Sequence, residues 1–246
     1  MSGEIDLNAD LGEGGAHDAA LFAAGISSAN IACGAHAGNA ETMAAACALA
    51  VLHGVALGAH PGHADREGFG RREIALGREE ARRLLAEQFG ALTEAMERSG
   101  ARAAGAWVRH VKPHGALYHQ ANREQWLAAL LVEEARRAWG AGVDLRIFGP
   151  PTGALREATE RAGLEFVAEG FVDRAYRADG SLVPRGEPGA VLHEEGAVVA
   201  QALELARSGR VRTLCVHGDG PDALRLLAAA RAALVAAGFR ISAPRA

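Results

Sequence analysis

The chain reads as an α/β protein built on a parallel sheet of seven strand–helix units, open or closed into a barrel. Three observations lead there. Short β-like runs alternate with longer helical runs, the order that builds a parallel sheet. The 246 residues suit a single α/β barrel, which commonly has about 250, so one domain spanning 1–246 is expected. Polar and titratable residues gather where the strand-like runs end, and parallel α/β folds carry their active sites there.

The strand-like runs are IDLNAD (5–10), SANIAC (28–33), VALGAH (55–60), RHVKPH (109–114), LRIFGP (145–150), LEFVAE (164–169) and TLCVHG (213–218). Helices are expected over 40–53, 78–99, 123–140, 153–162, 195–208 and 221–237. In 78–99, Ala81, Leu84, Leu85, Gln88, Leu92, Ala95 and Met96 recur at three- and four-residue steps, with Glu and Arg between them, the period of an amphipathic helix. Glycines at 54, 100, 163, 209 and 238 stand where helices should stop.

Composition excludes several classes. The chain is 49% hydrophobic with a net charge of −4, enough for a sizeable core. It has no basic block of the kind that binds nucleic acid. No apolar run approaches the roughly 20 residues of a membrane span, and Met1 leads straight into a polar strand-like segment without a signal-peptide pattern. Cys33, Cys47 and Cys215 are odd in number and share no CxxC spacing, so free thiols in a reducing, cytoplasmic setting are expected.

The polar residues point to a site. Asp6, Asn8 and Asp10 alternate along the first strand and so share one face. Asn30 and His36 belong to the end of the second strand, and His60 ends the third. Lys112 and His114 alternate on the fourth, Glu169 ends the sixth, and His217 and Asp219 alternate out of the seventh. Lys112 is the one lysine among 26 basic residues. A chain that uses arginine for every other positive charge has kept an ammonium here, and a compact, rotatable point charge is what arginine cannot copy.

Seven blocks, DLNADLGE (6–13), SANIACGAHAG (28–38), GAHP (58–61), DREGFGRRE (65–73), VKPHGALY (111–118), EGFVDRAYRADGSLVPRG (169–186) and CVHGD (215–219), together resemble the LamB/YcsF family in order and spacing over almost the whole chain. The resemblance implies a seven-stranded parallel, TIM-like β/α barrel of the glycoside hydrolase/deacetylase type. It also implies ATP-dependent 5-oxoprolinase activity, the opening of 5-oxo-L-proline to L-glutamate with release of ADP and phosphate. The implied partners are 5-oxoprolinase subunits B and C. The chain departs from the family pattern at Asn39 and Ala40 in place of Asp-Pro, at His63 and Ala64 in place of Tyr-Pro, and at His119 in place of Asn. Were the family's acidic residue after HAG a metal ligand, Asn39 would weaken metal binding.

Opening a lactam needs a polarised carbonyl, an activated water and a proton for the leaving nitrogen. The catalytic candidates are Asp10, Glu13, His60, Lys112, His114, His217 and Asp219. The carboxylates and histidines would serve as bases and acids, and Lys112 or Arg72 would steady an oxyanion or phosphorylated intermediate. Substrate-binding candidates are Asn8, Asn30, His36, Arg71, Arg72, Tyr118, Glu169, Asp173 and Arg174. The last three could equally form an ion-pair strut for the loop 171–186. No GxxxxGK[ST] loop exists, so ATP would bind this chain in another way or bind its partners. Two other readings stay open. One is a metal-dependent amide, lactam or ester hydrolase acting without ATP, with Asp10, His36 and His60 as metal ligands. The other is a non-catalytic subunit that presents substrate to its partners.

Overall fold

In the computed structural model, residues 3–15, 17–140, 144–217, 220 and 222–245 are described. The strands are β1 (Glu4–Leu11), β2 (Ser28–Ala32), β3 (Ala56–His60), β4 (Val108–Val111), β5 (Arg146–Gly149), β6 (Glu165–Phe171) and β7 (Thr213–Val216). They pair in parallel, each with the next, and β1 pairs with both β2 and β7. The sheet therefore closes into a seven-stranded barrel, with no edge left open among these strands. A two-residue strand, β8 (Arg240–Ile241), adds to Glu4 and Ile5 at the start of β1.

The helices are α1 (Asp18–Ala23), α2 (Ala40–His53), α3 (Arg78–Arg98), α4 (Gly115–Arg123), α5 (Gln125–Trp139), α6 (Ala154–Arg161), α7 (Glu195–Ser208) and α8 (Ala223–Ala236). They pack on the outer face of the barrel through its alternating apolar residues, such as Ile5, Leu7, Ala9 and Leu11 of β1. Helix α3 buries Ala81, Leu85, Gln88, Phe89, Leu92, Ala95 and Met96, as its period predicts. The helix expected to begin at 123 starts only after Glu124, which turns to an extended conformation between α4 and α5. The connection expected before it is itself helical and forms α4. Gly54 and Gly209 end α2 and α7 in the left-handed conformation, which a residue without Cβ adopts at little cost.

The inner face of the barrel is polar. At its lower level the Asp6 carboxylate accepts hydrogen bonds from Ser27 Oγ at 2.6 Å, Ser28 Oγ at 2.8 Å and Thr213 Oγ1 at 2.5 Å. Above it, Asn8 Nδ2 donates to Thr213 Oγ1 at 2.7 Å and to Glu169 Oε1 at 3.0 Å. Asn30 Nδ2 donates to Asn8 Oδ1 at 2.7 Å, and His110 Nε2 donates to Asn30 Oδ1 at 2.8 Å. The His110 ring stacks on Phe148 and fills the space beside Gly58, where a Cβ would stand 2.0 Å from its Nε2. These buried polar groups are thus matched across the barrel, as burial requires.

Burial outweighs the three hydroxyl donors at Asp6, and the nearby Glu169 charge adds to it, so the Asp6 carboxyl is pushed up to about 6. An acid whose folded value lies above its unfolded one holds an extra proton between the two, so its contribution to stability falls as pH rises through about 6. The expected outcome is that Asp6→Asn gains stability relative to the native chain across this interval, by up to about 3 kcal/mol. Paired denaturant unfolding curves on either side of about pH 6 measure it. A stability difference independent of pH would contradict the burial of an ionisable Asp6.

Candidate active site

A cavity of about 410 Å³ opens where the strands end, lined by Asp10, His60, Lys112, His114, Tyr118, Phe171, Arg174 and His217 among others. Most of these side chains are delivered by a strand end or the turn after it. Strand β4 stops at Val111, one residue before Lys112 and two before Pro113, which has no N–H for a ladder. The chain still follows β3, with Lys112 N on Ala59 O at 3.0 Å and His114 N on Pro61 O at 2.7 Å. That keeps Lys112 and His114 aimed inward before α4 begins at Gly115.

Lys112 is 2% exposed. Its Nζ lies 2.9 Å from Asp10 Oδ1, 2.9 Å from Glu169 Oε1, 3.0 Å from Cys215 Sγ and 3.3 Å from Asn8 Oδ1. Burial opposes the charge, but Asp10, Cys215 and Glu169 together hold the ammonium well above its usual range. In return, His60 and Lys112 hold Asp10 well below the usual carboxylate range despite its own burial. The ammonium has three protons and four acceptors within reach, so the contact with an oxyanion or phosphate expected from the sequence would replace one of these partners. In this arrangement Lys112 holds Asp10 and Glu169 at the cavity floor.

Two histidine groups meet there. His217 Nδ1 stands 2.9 and 3.0 Å from the two oxygens of Asp173, whose Oδ2 also accepts the His217 backbone N–H at 2.9 Å. Although burial would raise the Asp173 carboxyl, His217 lowers it. A carboxylate only accepts, so Nδ1 carries a hydrogen, and in the neutral ring Nε2 then presents a lone pair. In the second group His60 Nε2 lies 2.9 Å from His114 Nδ1 and 3.3 Å from Asp10 Oδ2. Behind them His36 stacks on His114 at 3.9 Å, and Glu13 Oε1 sits 3.5 Å from His36 Nε2. Burial, then the neighbouring His60, pushes His36 down to about 3.

The rim is cationic. Arg71 stacks over Phe69, and Arg174 donates to Val183 O at 2.7 Å and Ala190 O at 3.2 Å. Arg185 also lines the cavity, and Arg123 pairs with Glu73 there.

The structure thus brings Asp10, His60, Lys112, His114, His217, Arg71, Tyr118 and Arg174 to one cavity, with Asn8, Asn30 and Glu169 beneath it and Asp173 behind His217. Arg72 is elsewhere: its guanidinium pairs with Asp65 and stays largely exposed. Glu169, Asp173 and Arg174 do not form the ion-pair strut; each has a separate partner. Asp219 lies outside the described residues. Of the suggested metal trio, Asp10 Oδ1 is taken by Lys112 and by Asn30 while its Oδ2 lies 3.3 Å from His60 Nε2, and His36 and His60 group with Glu13 and His114. Asn39 caps α2 through Thr42 and takes no part. Sequence reasoning missed Cys215 as a partner of Lys112; a thiol on the inner face of β7 carries no signal beyond its alternation with Thr213. It also missed Phe171 and Arg185.

The LamB/YcsF family model matches residues 5–246. A protein of Methylococcus capsulatus, named as the A component of 5-oxoprolinase, is 45% identical over 99% of this chain and 96% of its own length. The crystal structure of a lactam utilization protein from Thermus thermophilus superposes with a TM-score of 0.86 at 37% identity, covering 98% of this chain and 100% of that one.

Removing the ammonium while roughly keeping its shape leaves Asp10 and Glu169 buried without a counter-charge. Lys112→Met is expected to cost about 3–5 kcal/mol of stability. Denaturant unfolding of both chains near neutral pH checks this, and a loss below about 1 kcal/mol would mean that the pair is not the buried cluster described.

Proposed function

The chain belongs to the LamB/YcsF family, and on that premise we propose that it is the lactam-handling subunit of an ATP-dependent 5-oxoprolinase. It would open 5-oxo-L-proline to L-glutamate, with ATP as co-substrate and ADP and phosphate as products, in complex with subunits B and C. The observation that carries the reading is the cavity itself: an Asp-held imidazole and a buried carboxylate–ammonium floor beneath an arginine rim.

The substrate is a small ring bearing one carboxylate and one lactam. The rim of Arg71, Arg174 and Arg185 suits the carboxylate, since guanidinium groups match its planar geometry. Tyr118 and Phe171 give the ring an apolar wall. Neutral His217 would take a proton on Nε2 from the attacking water and return it to the departing nitrogen. An unactivated amide is a poor electrophile. Transfer of the γ-phosphoryl group to the lactam oxygen, with loss of ADP, makes the carbon open to water. The C–N bond then breaks as nitrogen takes a proton, and a second water releases phosphate from the acyl phosphate.

The test is reconstitution. The complex with its two partners should release glutamate from 5-oxo-L-proline only with ATP, while this chain alone should turn over weakly or not at all. Glutamate release without ATP, or full turnover by the isolated chain, would overturn the reading. Within the complex, Asp173→Asn can turn its amide oxygen or its N–H towards Nδ1, and the N–H would force the proton onto Nε2 and remove the base. Turnover should fall by about 10²–10⁴-fold, with the melting temperature of the chain little changed. Near-native turnover would remove His217 from the chemistry.

A further inference from the structure

We propose that His36, His60, His114 and Glu13 form a binding site for one divalent cation of the zinc class. The positions of the imidazole hydrogens are fixed by their partners. His60 Nδ1 lies 2.7 Å from the carbonyl oxygen of Lys112, and His114 Nε2 lies 2.8 Å from that of Phe69. A carbonyl only accepts, so both of these nitrogens carry hydrogen. A neutral imidazole has one such hydrogen. The other nitrogens, His60 Nε2 and His114 Nδ1, are therefore bare lone pairs, and they face each other at 2.9 Å. Two lone pairs at that distance require a positive centre.

A single shared proton would satisfy those two rings, but it would leave the third. The His36 side chain is fully buried, and neither of its nitrogens has a hydrogen-bond partner among the described residues. Its ring lies parallel to His114, 3.9 Å away, and its Nε2 approaches Glu13 Oε1 at 3.5 Å. Glu13 Oε1 in turn lies 3.8 Å from His114 Nδ1. One donor atom from each of the four residues falls within 4.8 Å of the others. Donors of a tetrahedral zinc site, with bonds of about 2.0–2.1 Å, stand roughly 3.3 Å apart, so the four side chains would draw in and the His36 ring would tilt away from its parallel stack on His114 to converge on one ion. A cation accounts for all three imidazoles; a proton accounts for two.

The surroundings are those of a ligand set held in place. Two of the rings have their outer N–H anchored on backbone carbonyls, the arrangement that fixes the tautomer of a ligating histidine. His36 is walled by two glycines, since a Cβ at Gly62 would lie 2.5 Å from its Nδ1 and one at Gly70 would lie 2.7 Å from its Cβ. Three imidazoles and a carboxylate favour zinc-class ions over magnesium or calcium, which take mainly oxygen. The grouping of Asp10, Cys215 and His217 offers no competing site, because the Lys112 ammonium already lies against Asp10 and Cys215. With His60 and His114 also lining the cavity, the ion would sit in its wall.

The cation site stands independently of the lactam reading, and its test needs no substrate. The full-length chain, washed with chelator, is titrated with Co²⁺ and with Zn²⁺, following heat by calorimetry and the visible ligand-field bands of Co²⁺. The expected result is one equivalent bound, with Co²⁺ bands of a four- or five-coordinate nitrogen-rich site. His36→Gln and, separately, Glu13→Gln should weaken binding by at least about tenfold to a hundredfold, with native circular dichroism showing which variant is folded. Failure to bind either metal at micromolar concentration would overturn the proposal. So would equal affinity in the native chain and a folded variant.

Discussion

The site hangs on one buried ammonium. Lys112 lies at the centre of the barrel mouth and is the counter-charge of two carboxylates that come from different strands, Asp10 on β1 and Glu169 on β6. Moving any of the three ions out of water is costly, and the cost is recovered only when every charge is matched with good geometry. The group that does this must reach the barrel axis from the end of β4 and present protons in three directions within a very small volume. A lysine can do so. A planar guanidinium is wider and would displace Asn8 or Cys215, which explains why a chain so rich in arginine keeps a lysine at this place.

The layers below follow from the same constraint. A barrel interior filled with aliphatic side chains would give Asp10 and Glu169 no hydrogen-bond donors. Here Asn8 and Asn30 relay between carboxylates, ammonium and His110, and Asp6 takes up the hydroxyls of Ser27, Ser28 and Thr213. Each amide has donors on one side and acceptors on the other, so the network has one consistent orientation. Glu169 Oε2 is buried without a hydrogen-bond partner among the described residues; the rest of the network is paired, and such pairing favours one packing. The apolar stabilisation comes instead from the outer face of the strands, where the helices pack.

Much of this was legible in the chain. The alternation of Asp6, Asn8 and Asp10 implies one inner face, and that is where they lie. The rarity of lysine singled out Lys112, and Lys112 lies at the cavity. What was hidden was mostly the choice of partner. Nothing in the sequence says that Asp173 turns to His217, 44 residues away, rather than to the adjacent Arg174. Nor does it say that Arg72 folds back onto Asp65 within its own tight turn. The division between α4 and α5 at Glu124 was unreadable because no glycine or proline marks it, and β8 is too short to show a period. Closure of the sheet is itself a property of strand pairing between β1 and β7, which no local pattern encodes.

Charge accounting ties the two histidine groups to the floor. Lys112 is shared between Asp10 and Glu169. Asp10 turns its second oxygen away from Lys112 towards His60 Nε2 at 3.3 Å, and Glu13 lies against His36 and His114. Two carboxylates thus lie beside three imidazoles, and Arg66 and Arg71 also act on His36. A divalent cation among those imidazoles would be attracted by both carboxylates. His217 is held by its own carboxylate, Asp173, and one of its ring nitrogens lies within 4.8 Å of an Asp10 oxygen. Asp10 thus stands between three imidazoles suited to hold positive charge and one suited to move a proton, with Lys112 joining it to Glu169.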